Sequence, residues 1–362
     1  MVGAAPRASK RQQGIALVLV LWVLSLLTIM AGSFALSMRR EAAIVAGEKD
    51  NALALPIAES GIAIAELMLL NADANQRWRT DGSIYEIAFP RTPASTPSDD
   101  GNWKIRIKLL SESGKVDINA ADEKLLQALL DNAPITQQEQ ANLVGAIIDW
   151  RDSDDLVQLN GAEKDDYAKA GLHYQPSNKP FKAMEELQWV KGMDDTVYQW
   201  LQPLITINSG SPQVDFQKAT PEVLRAVANM DSGLIDDYVA ARVDSARNGL
   251  PSPAFPTAGT PAQNPNQKGE AVTIIVEALW DSGTHDSTAD NGDSQQGTAI
   301  SVLVQQAADG ANPPFTVLKW QHNAYTNDTG DTTGNTTEDA SLFGEAMDDF
   351  LVKQYAEYKF DN

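Results

Sequence analysis

No charged side chain occurs between Arg11 and Arg39, and from Ile15 to Met38 the chain is almost wholly apolar. As a helix rising 1.5 Å per residue, that run spans roughly 36 Å, enough to cross a hydrocarbon core of about 30 Å. Arg7, Lys10 and Arg11 precede it with no acid among them. That bias predicts a cytoplasmic N-terminus and an exported remainder. A cleaved secretory signal would have a shorter apolar region and a small-residue cleavage site. Here the run ends in Met38-Arg39-Arg40, so a retained helix at 15–38 is the expectation.

Beyond Arg40 the pattern becomes a stripe. Ile44, Val45, Leu53, Ile57, Ile64, Leu67 and Met68 approximate helical spacing and predict an amphipathic extension packed on a globular domain. Pro56 should kink it, and Asn71-Ala72-Asp73-Ala74 should end it. A polar loop with Pro90, Pro93 and Pro97 follows. Trp103–Leu110 then alternates apolar and basic residues, as a strand with one solvated face does.

Helical patterns continue to about residue 247. Asp122 and Thr220 are expected N-caps, and Pro221 suits a first helical position. Val116–Leu126 and Val214–Leu224 echo each other, each an extended piece before a helix start. Phe181–Leu204 reads as helix, glycine turn, helix. Three strands are expected late, at Val272–Leu279, Ala299–Val304 and Phe315–Trp320, the first two joined by a long polar hairpin loop. Ser341–Phe360 has helical spacing and is expected to dock as a last helix. The simplest arrangement is a helical block inserted between strands of one sheet, because a lone strand at 103–110 needs partners.

Charge narrows the function. The 362 residues carry a net charge of −21, which argues against gripping nucleic acid through its phosphates. Helix–glycine–helix hairpins can bind a DNA backbone, but Lys191-Gly192-Met193 is followed at once by Asp194-Asp195, which would repel phosphate. With no cysteine, disulfides, zinc–thiolate sites and thiol nucleophiles are excluded. His173, His285 and His322 fit no HExxH spacing, and no GxSxG occurs, so a membrane-anchored hydrolase has no support.

The densest chemistry lies in Asp149-Trp150-Arg151-Asp152-Ser153-Asp154-Asp155 and Asn160-Gly161-Ala162-Glu163-Lys164-Asp165-Asp166. Asp152, Asp154, Asn160 and Glu163 stand at relative positions 1, 3, 9 and 12, as in an EF-hand loop, but Val157 occupies the position that needs glycine. The loop is therefore not an EF-hand. Its carboxylate density fits a Ca²⁺ site and, on spacing alone, equally a solvated acidic turn.

Gly14 directly before the apolar run resembles a type IV prepilin leader, cut by a dedicated peptidase between Gly14 and Ile15. Most pilin-like proteins have glutamate at the fifth mature position, where this chain has Leu19; a chain without that acid suits the end of a fibre. With Gly114-Lys-Val-Asp-Ile-Asn-Ala, Asp149-Trp-Arg-Asp-Ser-Asp-Asp, Asn160-Gly-Ala-Glu and Phe181-Lys-Ala-Met-Glu-Glu-Leu-Gln-Trp-Val-Lys-Gly-Met following in order, residues 11–245 resemble the type II secretion minor pseudopilin K family.

The resemblance implies an α+β, pilin-like fold, with a long N-terminal helix packed on an antiparallel sheet and a large inserted all-α domain containing helix-hairpin-helix-like units. The expected division is a leader at 1–14, a transmembrane helix at 15–38, a helix extension and first strand at 39–112, the α-domain at 113–247, and remaining strands and tail at 248–362. The implied role is non-enzymatic: to cap the tip of a periplasmic pseudopilus and help initiate its assembly for export of folded proteins. Implied partners are minor pseudopilins I, J and H, the prepilin peptidase and the inner-membrane assembly platform, with no nucleic acid. The implied location is the inner membrane, single-pass, with the C-terminal domain periplasmic. The resemblance also implies methylation and bound Ca²⁺, with Asp152, Asp154 and Glu163 as ligands and Asp155, Asp165 and Asp166 as further candidates. Lys164 stands where the family often has an acid. A minor pilin of a related type IV pilus or DNA-uptake machine is the alternative, with the same fold in another machine.

Overall fold

The computed structural model describes residues 15–73, 76–89, 102–256, 269–281, 297–307, 312–324 and 351–353. The leader with Gly14, most of the polar hairpin loop and most of the expected C-terminal helix lie outside these. The chain divides into two compact units, Met1–Leu53 and Ala54–Asn362.

Helix α1 runs from Ile15 to Leu69 without a break at Pro56. In the first unit its segment Leu17–Ala42 has a mean hydropathy of 2.4 and none of it is buried. The hydroxyls of Ser25, Thr28 and Ser33 donate back to the carbonyls of Leu21, Leu24 and Met30 at 2.8, 2.6 and 2.9 Å. These three hydroxyls are thus satisfied within the helix, as an apolar surrounding demands. This segment is compatible with a membrane anchor.

In the second unit, α1 packs through small residues. Ala54, Ala58, Ile62, Ala65 and Leu69 are buried, whereas Leu67, expected on the packed face, is 64% exposed. Ile57, Ile64 and Met68 flank the stripe, half-buried. The sheet surface explains the choice: a Cβ on Gly61 would stand 2.6 Å from Val276 Cγ1 and 3.0 Å from Ile105 Cγ2. The interface is set by backbone approach rather than by large side chains.

Strands β1 (Asp81–Phe89) and β2 (Asn102–Ser111) pair antiparallel. β1 was not expected from the sequence. Its start, Asp81-Gly82-Ser83, has turn composition, and Asp81 Oδ1 does bind the Ser83 amide at 3.0 Å, but Tyr85 and Ile87 continue the alternation. β2 then leads through a 3₁₀ turn to β3 (Val116–Asp117), α2 (Glu123–Leu130), α3 (Gln137–Arg151), α4 (Lys164–Lys169), a second 3₁₀ helix (Met184–Trp189), α5 (Asp195–Leu201), β4 (Ile205–Thr206), α6 (Pro221–Val227) and α7 (Ser232–Arg247). The chain returns in β5 (Ala271–Asp281), β6 (Gly297–Gln306), β7 (Phe315–Ala324) and β8 (Leu351–Lys353).

The six-stranded sheet has the order β7-β6-β5-β2-β1-β8, so β2 and β5 are neighbours although all the helices α2–α7 lie between them in sequence. The helical segment has its own core, from Val116 and Ile118 through Leu126, Ile147, Trp150, Tyr167 and Leu201 to Tyr238. It is not wholly helical, because β3 and β4 pair in parallel. The first arm of the expected hairpin at Phe181–Leu204 is a 3₁₀ helix, and Gly192 turns the chain at φ 92°. Leu351, expected in a last helix, lies instead in β8, pairing in parallel with the outer edge of β1.

Caps and echo are as expected. Asp122 Oδ1 accepts from the Leu125 amide at 2.8 Å, and Thr220 caps α6 with Pro221 in its first turn. Asp117 and Asp215, at matching positions of the echo, each accept the amide two residues on, at 2.8 and 3.1 Å.

Candidate functional site: an acidic loop on the helical segment

Helix α3 begins at a capping box, with Thr136 and Glu139 exchanging bonds, and its buried face carries Leu143, Val144, Ile147 and Trp150 into the core. Burying that face fixes the helix end. Arg151 donates to the Ile118 and Ala121 carbonyls, anchoring the end to the β3–α2 turn. Asp152 is the C-cap, so the loop leaves from a fixed point. It is recaptured at α4, whose N-cap is Glu163 and whose Tyr167 is fully buried beside Trp150. Tyr167 Oη accepts from the Lys191 amide at 2.9 Å, joining α4 to the Gly192 turn.

The loop thus holds one expected ligand, Glu163, inside the protein and a second, Asp152, half-buried beside it. Glu163 is only 5% exposed, and both its carboxylate oxygens are buried without a hydrogen-bond partner, as is Oδ1 of Asp152. Burial, then the charges of Asp149, Asp152 and Asp155, push the Glu163 carboxyl up to about 7. Burial and then Asp154 likewise raise Asp152. Carboxylates brought together at a half-buried loop are costly when ionised, which is why both are pushed toward their protonated forms.

The other expected ligands differ. Asp154 Oδ1 accepts the Leu156 amide at 2.9 Å, and Asp155 Oδ1 accepts from Asn178 Nδ2 at 2.9 Å; both residues are exposed. Asp166 is drawn to Lys169 at 3.0 Å, which lowers its pKa, and Asp165 is exposed. Among the described residues, no three His, Cys, Asp or Glu side chains form a ready coordination cluster. The donors are hard oxygens, the type Ca²⁺ takes, and the remainder of six to eight ligands would come from backbone carbonyls and water.

One acid was not counted among the ligands. Asp149 is fully buried on the last turn of α3 and accepts the Gln158 amide at 3.1 and 3.3 Å. Its signal in the sequence is an acid between Ile147-Ile148 and Trp150, inside an apolar helix face. The remaining motif residues are structural. Asn119 Nδ2 donates to the Phe181 carbonyl at 2.9 Å and Asn119 Oδ1 accepts the Phe181 amide at 2.8 Å. Asp117 Oδ2 accepts from Ser209 Oγ and the Gly210 amide at 3.1 and 2.7 Å.

These features define a mixed α+β protein with an apolar N-terminal helix compatible with a single membrane anchor. Residues 105–210, from β2 to just past β4, match the family model of type II secretion system (T2SS), protein K. Curated relatives named type II secretion system protein K occur in Klebsiella pneumoniae (27% identical, covering 54% of this chain and 62% of the relative), Pseudomonas aeruginosa (25%, 64% and 72%) and Aeromonas hydrophila (28%, 66% and 76%). The matches thus span between 62% and 76% of those relatives' length. The crystal structure of the GspK-GspI-GspJ complex from enterotoxigenic Escherichia coli aligns at 15% identity over 76% of this chain and 98% of that one, with a TM-score of 0.44. The chain is thus similar to proteins of the type II secretion system protein K family, the family its motifs resemble.

Proposed function

We propose that this chain is the K-type minor pseudopilin of a type II secretion system, a non-enzymatic subunit that caps the pseudopilus tip and helps start its assembly. One observation carries the reading: the family match runs from β2 to just past β4, over most of the helical segment set between the neighbouring strands β2 and β5, in a chain that also carries an exposed apolar helix at Leu17–Ala42. In this reading the sheet and α1 form a pilin-like body, and the helical segment is an inserted domain whose bulk blocks a further subunit from stacking above it. The helix 15–38 stores the chain in the inner membrane with the rest periplasmic. Cleavage after Gly14 releases a mature chain beginning at Ile15, with Leu19 rather than an acid at its fifth position. Its partners would be the I, J and H minor pseudopilins, the prepilin peptidase and the assembly platform.

The acidic loop would hold Ca²⁺ through Asp152 and Glu163, with Asp154 and Asp155 close by. Bound there, the ion neutralises the buried carboxylates and ties the end of α3 to the start of α4. Deleting the gene tests the reading: secretion of folded proteins and pseudopilus initiation should both fail and return with the intact gene. Normal secretion in the deletion strain would refute it.

A further inference from the structure

The loop does not merely connect α3 to α4; residues 158–162 lie directly against the α3 surface at two positions one turn apart. A Cβ on Gly145 would stand 2.7 Å from Gly161 N and 2.9 Å from Asn160 C, so backbone meets backbone there. At Asp149, the carboxylate takes the Gln158 amide at 3.1 and 3.3 Å. Gly161 is wedged so closely that a Cβ would lie 2.0 Å from Asp149 Oδ2 and 2.8 Å from its Cγ. Asn160 turns the chain at φ 63°, the left-handed conformation that Asn tolerates, and Gly161 donates to the Gln158 carbonyl at 2.8 Å. Glu163 comes two residues after this contact. Its two buried oxygens have no hydrogen-bond partner, which is the independent sign that a ligand belongs there.

We infer that Asp149 is a positioning residue of this cation site: it clamps the 158–162 turn onto α3 and so presents Glu163 toward Asp152. This rests on the calcium reading above and adds to it a residue that need not touch the ion. Among the described residues Asp149 is fully buried and its carboxylate is met by the Gln158 amide; in the loaded site the neighbouring cation would balance its charge. Outer carboxylates that orient metal ligands typically change affinity by about 10–100-fold when replaced. Asparagine at this position keeps the shape and one acceptor oxygen but loses the charge and the second acceptor.

The test is calorimetric titration of CaCl₂ into the detergent-solubilised full chain, after EGTA treatment, for wild type, Asp149→Asn and Glu163→Gln, with thermal melts of each without calcium. The expected result is calcium binding by wild type, loss of binding in Glu163→Gln, and at least about tenfold weaker binding in Asp149→Asn. The calcium-free melt of Asp149→Asn should equal or exceed that of wild type, because removing a buried charge offsets the lost acceptor. Asp149→Asn binding calcium as tightly as wild type would overturn the inference and leave the cation site standing. A calcium-free Asp149→Asn that is already unfolded would make Asp149 a structural strut and also overturn it. Wild type that binds no calcium would overturn the cation reading and this inference together.

Discussion

Replacing Glu163 by glutamine should have opposite effects with and without calcium. In the calcium-free chain the carboxylate is buried, has no donor and is surrounded by Asp149, Asp152 and Asp155, which together with burial raise it from 4.5 to about 7. A carboxylate whose folded value lies above its unfolded one holds its proton more tightly in the folded chain. Its contribution is therefore favourable at and below pH 4.5, declines as pH rises toward 7, and is unfavourable above that. One pKa unit is about 1.4 kcal/mol, and discounting for solvent screening at a loop leaves about 2 kcal/mol of destabilisation at pH 8. Glu163→Gln removes the charge at similar volume, so at pH 8 in EGTA it should melt roughly 4 °C above wild type. In millimolar CaCl₂ the order should reverse, because only wild type gains the ion. The assay is a set of thermal melts of the full chain at pH 5, 6, 7 and 8 in each condition. The calcium-induced shift should grow with pH in wild type and be nearly absent in the variant. A wild type whose calcium-free stability holds steady or rises from pH 5 to 7, relative to Glu163→Gln, would refute the reasoning.

Other substitutions test the scaffold around the loop. Asn119→Ala severs both bonds to Phe181 and should cost about 2 kcal/mol in urea unfolding. Gly114→Ala puts a Cβ 2.5 Å from the Lys218 carbonyl oxygen, a backbone atom that cannot swing away, and should cost about 1–3 kcal/mol. Tyr167→Phe removes the acceptor of the Lys191 amide, so that amide should exchange faster with deuterium while stability falls by about 1 kcal/mol. On α1, Ala58→Leu should destabilise the sheet packing by about 1–3 kcal/mol, whereas Leu67→Ala should be close to neutral, since Ala58 is fully buried and Leu67 is not.

Much of this architecture was legible because its signals are local. Charge-free length marked the N-terminal helix, alternation marked β2 and the late strands, and Asp122, Thr220 and Pro221 marked helix starts by side-chain chemistry that acts within one turn. What escaped depended on contacts remote in sequence. The buried stripe of α1 is built on Ala54, Ala58 and Ala65 because the sheet beneath leaves no room at Gly61, which hydrophobicity along the helix cannot reveal. β8 exists as a strand because β1 offers an edge some 260 residues earlier, giving Leu351 a partner that helical spacing does not foresee. At the acidic loop, spacing identified the carboxylates but not their burial. Glu163 differs from the exposed Asp154 and Asp165 because it directly precedes the helix whose Tyr167 packs beside Trp150 in the core. Asp149 was hidden for the opposite reason: on a helix its role is set by Gly161, twelve residues away across the turn.

The most direct measurement of the assigned role is size-exclusion chromatography of this chain mixed with the I- and J-type minor pseudopilins of the same secretion system. One complex containing all three chains is the predicted result; three separate peaks, with calcium present and every chain folded, would contradict it.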